Sequence, residues 1–464
     1  MTLSSQNNFR PLSGSKILTV IFFLLAMYVV LNGNWHRTKY PIQMDANGYY
    51  IFLPATFIYH DLKNLQFVHS MPEQFDRKYF LYPNISGGYL SKYAPGIALL
   101  QLPFFLTAHI LAPVFQQEQS GYSPPYRLAV ALSTLFYTFL SILILRRLLL
   151  RYFNDATATL SLIFVALGTN AFFYGILQAG LAHNYLLFAF SLMLLCLDSW
   201  WKSGHWYLFA GASATVGLMA CIRPTEALTG LIPVGFLLQR LRESKFSLPA
   251  SLLKSILAGI PAFLLLLIPL FLYWKTSTGN WIAYTYEQEG FYFDRPAQIW
   301  YGLFGFRKGW FIYTPMAALA FAGLAFIRKN SWFRPYFLAL LSYLPLNIFI
   351  VLSWYCWWYG GCFGQRAFIP VLALLSIPLA AVLDYLRKKS PLYLLLPVFL
   401  LVLNIFQSFQ YQRQILHMDA MTWNSYTFIF GKWRFTEEEK ARMKTMLDYP
   451  DYSQRGKKLD EYFR

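Results

Sequence analysis

A single carboxylate opens the first polar stretch of the chain, where Asp45 precedes Ala46, Asn47 and a Gly-Tyr-Tyr run. A carboxylate in a water-accessible loop can act as a general base and take a proton from an attacking hydroxyl group. The residues that follow, 49–65, are rich in apolar and aromatic side chains, which suits a helix lying in a membrane interface. We therefore expect an acid held at a membrane surface beside a shallow helix.

A cation occurs later in the same loop, because Lys92 and Tyr93 stand directly before the Pro-Gly turn that opens the next apolar segment. An ammonium group at this depth is placed to bind a lipid phosphate. A Lys-Tyr pair that anchors a helix end at the interface explains the same residues equally well. Both interpretations put these side chains at the level of the lipid headgroups.

Two later loops resemble one another, residues 300–307 and residues 358–366, since both run Trp-Tyr-Gly and then Phe-Gly-x-Arg. Glycine lets the backbone approach a ligand closely, and the planar guanidinium of arginine suits phosphate. Arg307, Gln365 and Arg366 are therefore candidate binding residues. The alternative is an aromatic belt at the membrane interface with arginines that extend toward water.

Further ionisable side chains occur near predicted helix ends. Arg223 and Glu226 follow an apolar run in the sequence Ile-Arg-Pro-Thr-Glu, where they could bind substrate or cap two helix ends as a pair. His183 lies near the start of another apolar run and could carry a proton or bond a neighbouring helix. Asp294 and Arg295 are a second acid and cation in the long loop before residue 300, and they suit ordinary loop charges.

The composition defines the class of protein that must position these groups. Hydrophobic residues make up 57% of the 464 residues and charged residues only 13%, far below the roughly one quarter that is usual in soluble domains. The apolar runs extend from end to end, so no large soluble domain fits. The net charge of +18 is spread in small basic clusters between apolar runs, as the positive-inside rule describes, and this excludes a nucleic-acid partner.

The pattern predicts an all-α polytopic integral membrane protein of about 11 to 12 hydrophobic segments, each near the roughly 20 residues that a spanning helix needs. Basic residues before the first run, 17–31, predict an uncleaved anchor that starts in the cytoplasm. Residues 32–93 then form a long external loop, and the loops that carry the candidate residues fall on the same outer side.

One part of this topology conflicts with the charge pattern. If residues 94–115 and 128–145 both cross, the arginine cluster at Arg146, Arg147 and Arg151 lands outside. The first of these segments contains three prolines, so it is the better candidate for a re-entrant or partly inserted piece.

Residues 1–406 are expected to form the membrane-embedded domain, followed by a polar tail, 407–464, on the external side. Thr436 and Glu439 have the spacing of a capping box and predict a helix start in this tail. Cys196 and Cys221 lie in apolar runs, whereas Cys356 and Cys362 share one loop; free thiols are favoured, with a bridge in that loop as the alternative.

The sequence contains no glycine loop for nucleotide, no HExxH, no GxSxG and no Cys/His cluster with metal spacing. We therefore expect no direct use of cytosolic nucleotide as a source of energy. A reaction on the outer face needs a donor that is already activated and delivered by the membrane. The sequence supports no cofactor, and it gives no support for a divalent metal.

The Asp45 loop, the Lys92-Tyr93-Ala94-Pro95-Gly96 entry to the next segment and about a dozen apolar segments together resemble the GT-C superfamily of polytopic glycosyltransferases. The closer resemblance is to bacterial ArnT-like or dolichyl-phosphate-mannose-protein mannosyltransferase-like members, over residues 17–406. Members of this family commonly carry two acids in the first loop, whereas here Ala46 and Asn47 follow the single acid.

The resemblance implies transfer of a sugar from a polyprenyl-phosphate donor to an acceptor lipid, glycan or protein, at the periplasmic face of a bacterial inner membrane. Asp45 would be the general base, and Lys92, Arg307, Arg366 and then Arg223 would stabilise the departing phosphate. A single base without an enzyme nucleophile suggests one direct displacement with inversion.

Two other functions share these features. A transporter or flippase for a lipid-linked or anionic substrate would have a similar membrane body and intramembrane charges. A non-catalytic assembly subunit would use the Asp45 loop as a docking surface. The candidate polar residues gather on one side and not at mid-membrane, which favours the enzyme.

Overall fold

The structure is a computed structural model that describes residues 13–33, 40–70, 80–84, 87–287, 289–328, 330, 333–450 and 452. These residues are predominantly helical, with one small antiparallel sheet of β1 (Leu81–Pro83) and β2 (Tyr89–Ser91), in which Tyr82 pairs with Leu90. The helices are α1 (Gly14–Leu31), α2 (Met44–Tyr50), α3 (Phe52–Phe57), α4 (Gly96–Leu111), α5 (Pro124–Leu149), α6 (Asp155–Leu167), α7 (Ala182–Ser203), α8 (Trp206–Ile222), α9 (Leu231–Glu243), α10 (Ala250–Thr278), α11 (Ala297–Phe304), α12 (Trp310–Tyr313), α13 (Pro315–Ala322), α14 (Leu324–Arg328), α15 (Arg334–Leu352), α16 (Leu372–Lys389), α17 (Leu395–Gln412), α18 (Trp423–Ile429) and α19 (Glu437–Lys444).

Six helices in the described part of the chain are long and apolar enough to cross a membrane: α1, α5, α7, α10, α15 and the helix at 391–412 that contains α17. Four shorter apolar helices, α4, α6, α8 and the 315–328 segment, lie among them. The prediction of a helical, polytopic membrane protein is confirmed at this level. The predicted 11 to 12 segments include several that form shorter or broken helices, such as α12 to α14 where one continuous run was expected.

Basic residues cluster at one end of the helix bundle. The buried carboxylate of Asp198 pairs with Arg151 and lies 3.2 Å from the Lys202 ammonium, and it accepts a hydrogen bond of 2.8 Å from Tyr336. The start of α1 packs at this end, because the Arg146 Nε donates to the Ser15 hydroxyl at 2.7 Å. The positive-inside rule predicts that this end faces the cytoplasm.

The segments before and after helix α4 both contact α2. The ring of Tyr93, just before α4, lies 4.3 Å from the ring of Tyr49, and the hydroxyl of Tyr50 donates to the carbonyl of Gly121, just before α5. The 16 residues of α4 extend about 24 Å, less than the roughly 30 Å of a hydrocarbon core. The short length of α4 is compatible with a re-entrant or partly inserted segment, which stays a prediction.

Where one helix was expected over residues 49–65, the structure has the end of α2, the short helix α3 and then turns, and a 3-10 helix follows at Gln66–Ser70. Many of the side chains in the first half of the segment are buried against the protein, including Tyr50, Ile51 and Leu53. Phe57 and Tyr59, further along, are 43% and 37% exposed. The segment therefore has both a buried part and an exposed aromatic part, and its position in a membrane interface stays a prediction.

The polar tail folds back onto the bundle. The predicted capping box is confirmed, since Thr436 Oγ1 accepts from the backbone N–H of Glu439 at 3.1 Å and the Glu439 carboxylate accepts from the N–H of Thr436 at 3.0 Å. The backbone N–H of Asp448 donates to the carbonyl of Ala420 at 3.0 Å. Residues 413–450 are therefore tied to each other and to the loops that they cover.

Gly96 allows α4 to approach the end of α8. A Cβ atom at this position would lie 2.4 Å from the backbone nitrogen of Ile222 and 2.5 Å from the carbonyl carbon of Cys221. Only glycine fits such an approach without moving backbone. The contact holds Lys92 and Tyr93, which precede α4, close to Arg223, which follows α8.

We expect Gly96→Ala to destabilise the protein by about 1–3 kcal/mol, because backbone must move to admit one methyl group. Gly235→Ala is the matched control, since nothing lies within 4 Å of its Cβ position inside α9 and alanine there should be neutral or stabilising by up to about 1 kcal/mol. Thermal unfolding of both variants in detergent measures the difference. A Gly96→Ala variant as stable as Gly235→Ala would contradict the close approach.

Candidate functional site

A cavity of about 700 Å³ lies at the end of the bundle opposite the Asp198 cluster. It is lined by the segments that follow α1, α8, α10, α15 and α17 and by those that precede α4 and α7. Helix α7 connects the two ends, since Leu181 before it lines this cavity while Asp198 lies near its other end. We refer to this space as the main cavity.

Asp45 and Arg366 form an ion pair in the wall of the main cavity. The Arg366 Nη2 donates to the Asp45 Oδ2 at 2.8 Å and to the carbonyl oxygen of Tyr359 at 3.0 Å. The Asp45 side chain remains 27% exposed, so its carboxylate faces the cavity. Burial alone would raise the pKa of Asp45, but the charges of Arg366 and Lys92 and a hydrogen bond from Tyr93 hold it below its usual value.

Lys92 is paired with a second carboxylate, Glu289, in the long loop after α10. The Lys92 ammonium lies 3.2 and 3.4 Å from the two oxygens of Glu289, which also accepts a 2.8 Å hydrogen bond from the hydroxyl of Tyr82. The rings of Tyr93 and Tyr286 flank the ammonium at 5.5 and 5.6 Å. Lys92 is therefore held in a charged and aromatic clamp at the cavity wall.

Arg223 has a different environment. Its Nε donates to the hydroxyl of Tyr49 at 3.3 Å, and its Nη2 lies 3.4 Å from the Nδ1 of His183. Among the described residues, no carboxylate lies within ion-pair distance of Arg223. It is the cation of the main cavity with the fewest charged partners to displace.

Glu226 lines the same cavity three residues after Arg223 and is only 7% exposed. Within the described part of the chain, its carboxylate accepts no hydrogen bond. Burial raises the pKa of Glu226 to about 7, against the attraction of the nearby Arg223. The main cavity therefore contains two acids in contrasting states, Asp45 held ionised and Glu226 near its midpoint at neutral pH.

Six of the nine residues selected from the sequence meet in the main cavity: Asp45, Lys92, Tyr93, Arg223, Glu226 and Arg366. The other three do not line it. His183 is buried behind Arg223, and Gln365 is buried with its amide donating to the carbonyl of Trp357 at 2.8 Å. Arg307 faces a separate groove, where it pairs with Asp448.

The two Trp-Tyr-Gly loops, which look alike in sequence, have different structures. In the first, Gly302 lies inside α11, where a Cβ atom would meet the side chain of Leu352 at 2.3 Å. In the second, Gly360 and Gly364 have φ of 68° and 58°, so these glycines form tight left-handed turns. The same sequence pattern therefore packs α11 closely against Leu352 in the first loop and forms a tight turn in the second.

Several residues of the site were not selected from the sequence. Glu289 pairs with Lys92, while Asp419 from the tail lines the main cavity. The buried ammonium of Lys308 donates to the carbonyls of Cys362 and Met418 and so ties the second loop to the tail. Asp294 was noted in the same loop as Glu289, but it is exposed and away from the cavity. Glu289, Lys308 and Asp419 differ from the neighbouring charged residues in being buried, and the sequence does not show which charged side chains are buried.

The cysteines are free thiols, as favoured, and Cys356 and Cys362 are both buried. Within the described residues, no group of three or more His, Cys, Asp or Glu side chains has an arrangement that could hold a metal ion. The acids of the main cavity are paired with or close to cations instead.

No known protein family matches the chain, and no curated protein is significantly similar to it. The geometry of the main cavity is therefore the basis on which a function can be proposed.

We expect Glu226→Gln to change how stability depends on pH. The pKa of Glu226 in the folded protein, about 7, exceeds its ordinary value of 4.5, so its stabilising contribution is complete below pH 4.5 and is lost as the pH rises through 7. This shift in pKa corresponds to about 3 to 4 kcal/mol of stability.

Glutamine cannot titrate, so the stability of Glu226→Gln relative to the wild type should rise between pH 5 and pH 8. Thermal unfolding across this pH range provides the measurement. Parallel pH profiles for the two proteins would show that Glu226 is not a buried, raised-pKa acid.

Proposed function

We propose that the chain is a GT-C-like membrane glycosyltransferase that moves a sugar from a polyprenyl-phosphate donor to an acceptor. One observation carries the proposal: Asp45 and the cations Lys92, Arg223 and Arg366 line one cavity with tyrosine and tryptophan walls, beside helices apolar enough to span a membrane. A base, phosphate-binding cations and aromatic surfaces are the groups that this chemistry needs.

Arg223 is the proposed anchor for the donor phosphate. Lys92 and Arg366 each have a carboxylate partner, whereas the guanidinium group of Arg223 hydrogen-bonds only Tyr49 and His183 among the described residues. A phosphate that binds Arg223 replaces weak neutral contacts with charge-assisted hydrogen bonds. Arg366 and Lys92 would then supply further positive charge to the same phosphate.

In the proposed step, an acceptor hydroxyl oxygen attacks the anomeric carbon and forms the new glycosidic bond. The bond from that carbon to the phosphate oxygen breaks, and its electron pair remains on the polyprenyl phosphate. The hydroxyl proton passes to the Asp45 carboxylate. A single displacement of this kind inverts the configuration at the anomeric carbon.

The ion pair between Asp45 and Arg366 suits both the proton transfer and the departure of the phosphate. It holds the Asp45 carboxylate ionised, so the base is ready to accept a proton. As negative charge grows on the leaving phosphate, the Arg366 guanidinium can turn toward it, which weakens its hold on Asp45 as the proton arrives. The acceptor could be a lipid, a glycan or a protein, and the positive-inside rule predicts the periplasmic face as the site of reaction.

Asp45→Asn should reduce sugar transfer by at least about 100-fold, because the amide cannot accept the proton. The assay supplies a panel of polyprenyl-phosphate-linked hexoses and pentoses to the purified protein in cell-envelope extracts and measures labelled product. Asp294→Asn is the matched control, since it makes the same change at an exposed loop position outside the cavity.

Transfer by Asp45→Asn at the wild-type rate would exclude Asp45 as the base. Movement of the intact labelled lipid across vesicles, without cleavage of the sugar–phosphate bond by any variant, would instead support the transporter alternative.

Arg223→Gln should raise the KM for the donor by about 10- to 100-fold, the loss expected for one charge-assisted contact. Arg295→Gln is the control, because Arg295 stacks on Tyr292 in the external loop and does not line the cavity. Steady-state kinetics with varied donor measures the effect. An unchanged donor KM in Arg223→Gln would mean that the phosphate binds elsewhere.

A further inference from the structure

A second cavity of about 380 Å³ lies beside the main cavity, and we name it the aromatic groove. It is lined by the first Trp-Tyr-Gly segment, by Trp357 and Trp358, and by two parts of the tail, residues 421–423 and Asp448. Arg307 belongs to this groove, which explains why a loop that looked like a ligand site in the sequence does not reach Asp45.

A wall one side chain thick separates the aromatic groove from the main cavity. Arg307, on the groove side, donates through Nη1 to the carbonyl of Asp419 at 2.8 Å. Trp358, also on the groove side, donates through its indole N–H to the hydroxyl of Tyr452 at 3.2 Å. Tyr452 donates in turn to the Asp419 carboxylate, and both of these residues line the main cavity. The two spaces therefore share one hydrogen-bonded partition.

The groove exposes large aromatic faces together with an ion pair. Trp300 is 64% exposed and Trp423 is 61% exposed, and both line the groove. Arg307 and Asp448, which also line it, are paired at 2.5 Å, and Arg307 is held by its further bond to the carbonyl of Asp419. Aromatic rings of a membrane belt lie on the convex, lipid-facing surface and need no ion pair at their base.

This combination matches the chemistry of a carbohydrate. A pyranose ring has an apolar C–H face that stacks on an indole ring, and its edge carries hydroxyls that both donate and accept hydrogen bonds. A phosphate suits the groove poorly, since the charge of Arg307 is already balanced by Asp448. The volume is within the range of small-molecule sites and admits a short saccharide.

We propose that the aromatic groove binds the carbohydrate portion of the acceptor, with the reactive hydroxyl reaching past the Asp419–Tyr452 wall into the main cavity. The role as an acceptor site depends on the proposed transfer reaction, whereas carbohydrate binding does not. In this arrangement the donor phosphate and the acceptor glycan occupy opposite sides of one wall, and binding energy in the groove positions the hydroxyl for attack.

The test measures binding of the full-length protein in detergent to a printed array of neutral and acidic oligosaccharides. Wild type should retain at least one oligosaccharide, and Trp423→Ala and Trp300→Ala should each weaken that binding about tenfold or more, the effect of losing one stacking surface. Trp281→Ala is the matched control, because Trp281 is an equally exposed ring outside both cavities. Asp448→Asn serves as a second probe that keeps the shape of the groove while it removes the ion pair.

Asp45→Asn should bind the same oligosaccharide as strongly as the wild type, since Asp45 lies outside the groove. Binding and transfer are measured separately, so the two proposals can fail separately. Oligosaccharide binding that depends on Trp423, without any sugar transfer, would overturn the proposed transferase and would support the groove as a carbohydrate site. No oligosaccharide bound by the wild type, or equal binding by Trp423→Ala, Trp300→Ala and Trp281→Ala, would overturn the groove as a carbohydrate site.

Discussion

The ion pair between Asp45 and Arg366 is the interaction around which the main cavity is built. Asp45 follows α1 near the start of the chain, and Arg366 lies between α15 and α16, so their 2.8 Å contact joins segments that are 321 residues apart. A partly buried carboxylate needs such a partner, because an unpaired charge out of water costs several kcal/mol. Removing either partner would therefore leave an uncompensated charge where the loops of both halves of the chain meet.

The other charges of the main cavity follow the same rule with one exception. Lys92 is balanced by Glu289, and Asp419 lies close to tail and loop residues that donate to it. Arg223 and Glu226 are the pair that stays apart: Arg223 contacts neutral groups, while burial keeps the pKa of Glu226 near 7. A cavity arranged in this way has little net charge when empty and still offers one cation to an incoming anion.

The sequence predicted the membrane class, the charged end of the bundle and the main members of the cavity, because these depend on composition and on helix ends. Asp45, Lys92, Arg223 and Arg366 all stand directly beside apolar runs, and topology alone brings such positions to one side. The same reasoning from the sequence could not show that Glu289 lines the main cavity and that Arg307 does not. Which face of a long loop meets the cavity depends on tertiary contacts, such as the backbone pairing of Phe291 with Trp354.

The three prolines of residues 94–115 made this segment the re-entrant candidate, but the packing of α4 against α2 and α3 and the position of the tail could not be predicted from the sequence. A proline-interrupted apolar run has the same composition whether it crosses a membrane or packs against α2 and α3, because its apolar surface is buried in both cases. The tail is polar, which predicts exposure, yet Lys308 and Arg307 bind its backbone carbonyls and so place Asp419 and Tyr452 in the wall of the cavity. These contacts are hydrogen bonds to backbone carbonyls. Every residue has such a carbonyl, so the sequence does not show which ones are bound.

We propose that the main cavity holds a lipid-linked sugar phosphate with its anomeric carbon facing Asp45. A cryo-EM structure of the protein with a non-transferable phosphonate analogue of a polyprenyl-phosphate sugar would locate both groups. We expect the phosphonate to lie within hydrogen-bond distance of Arg223 and the sugar to lie between it and Asp45. A phosphonate bound outside the main cavity, or a sugar placed away from Asp45 with Arg223 unoccupied, would contradict the proposal.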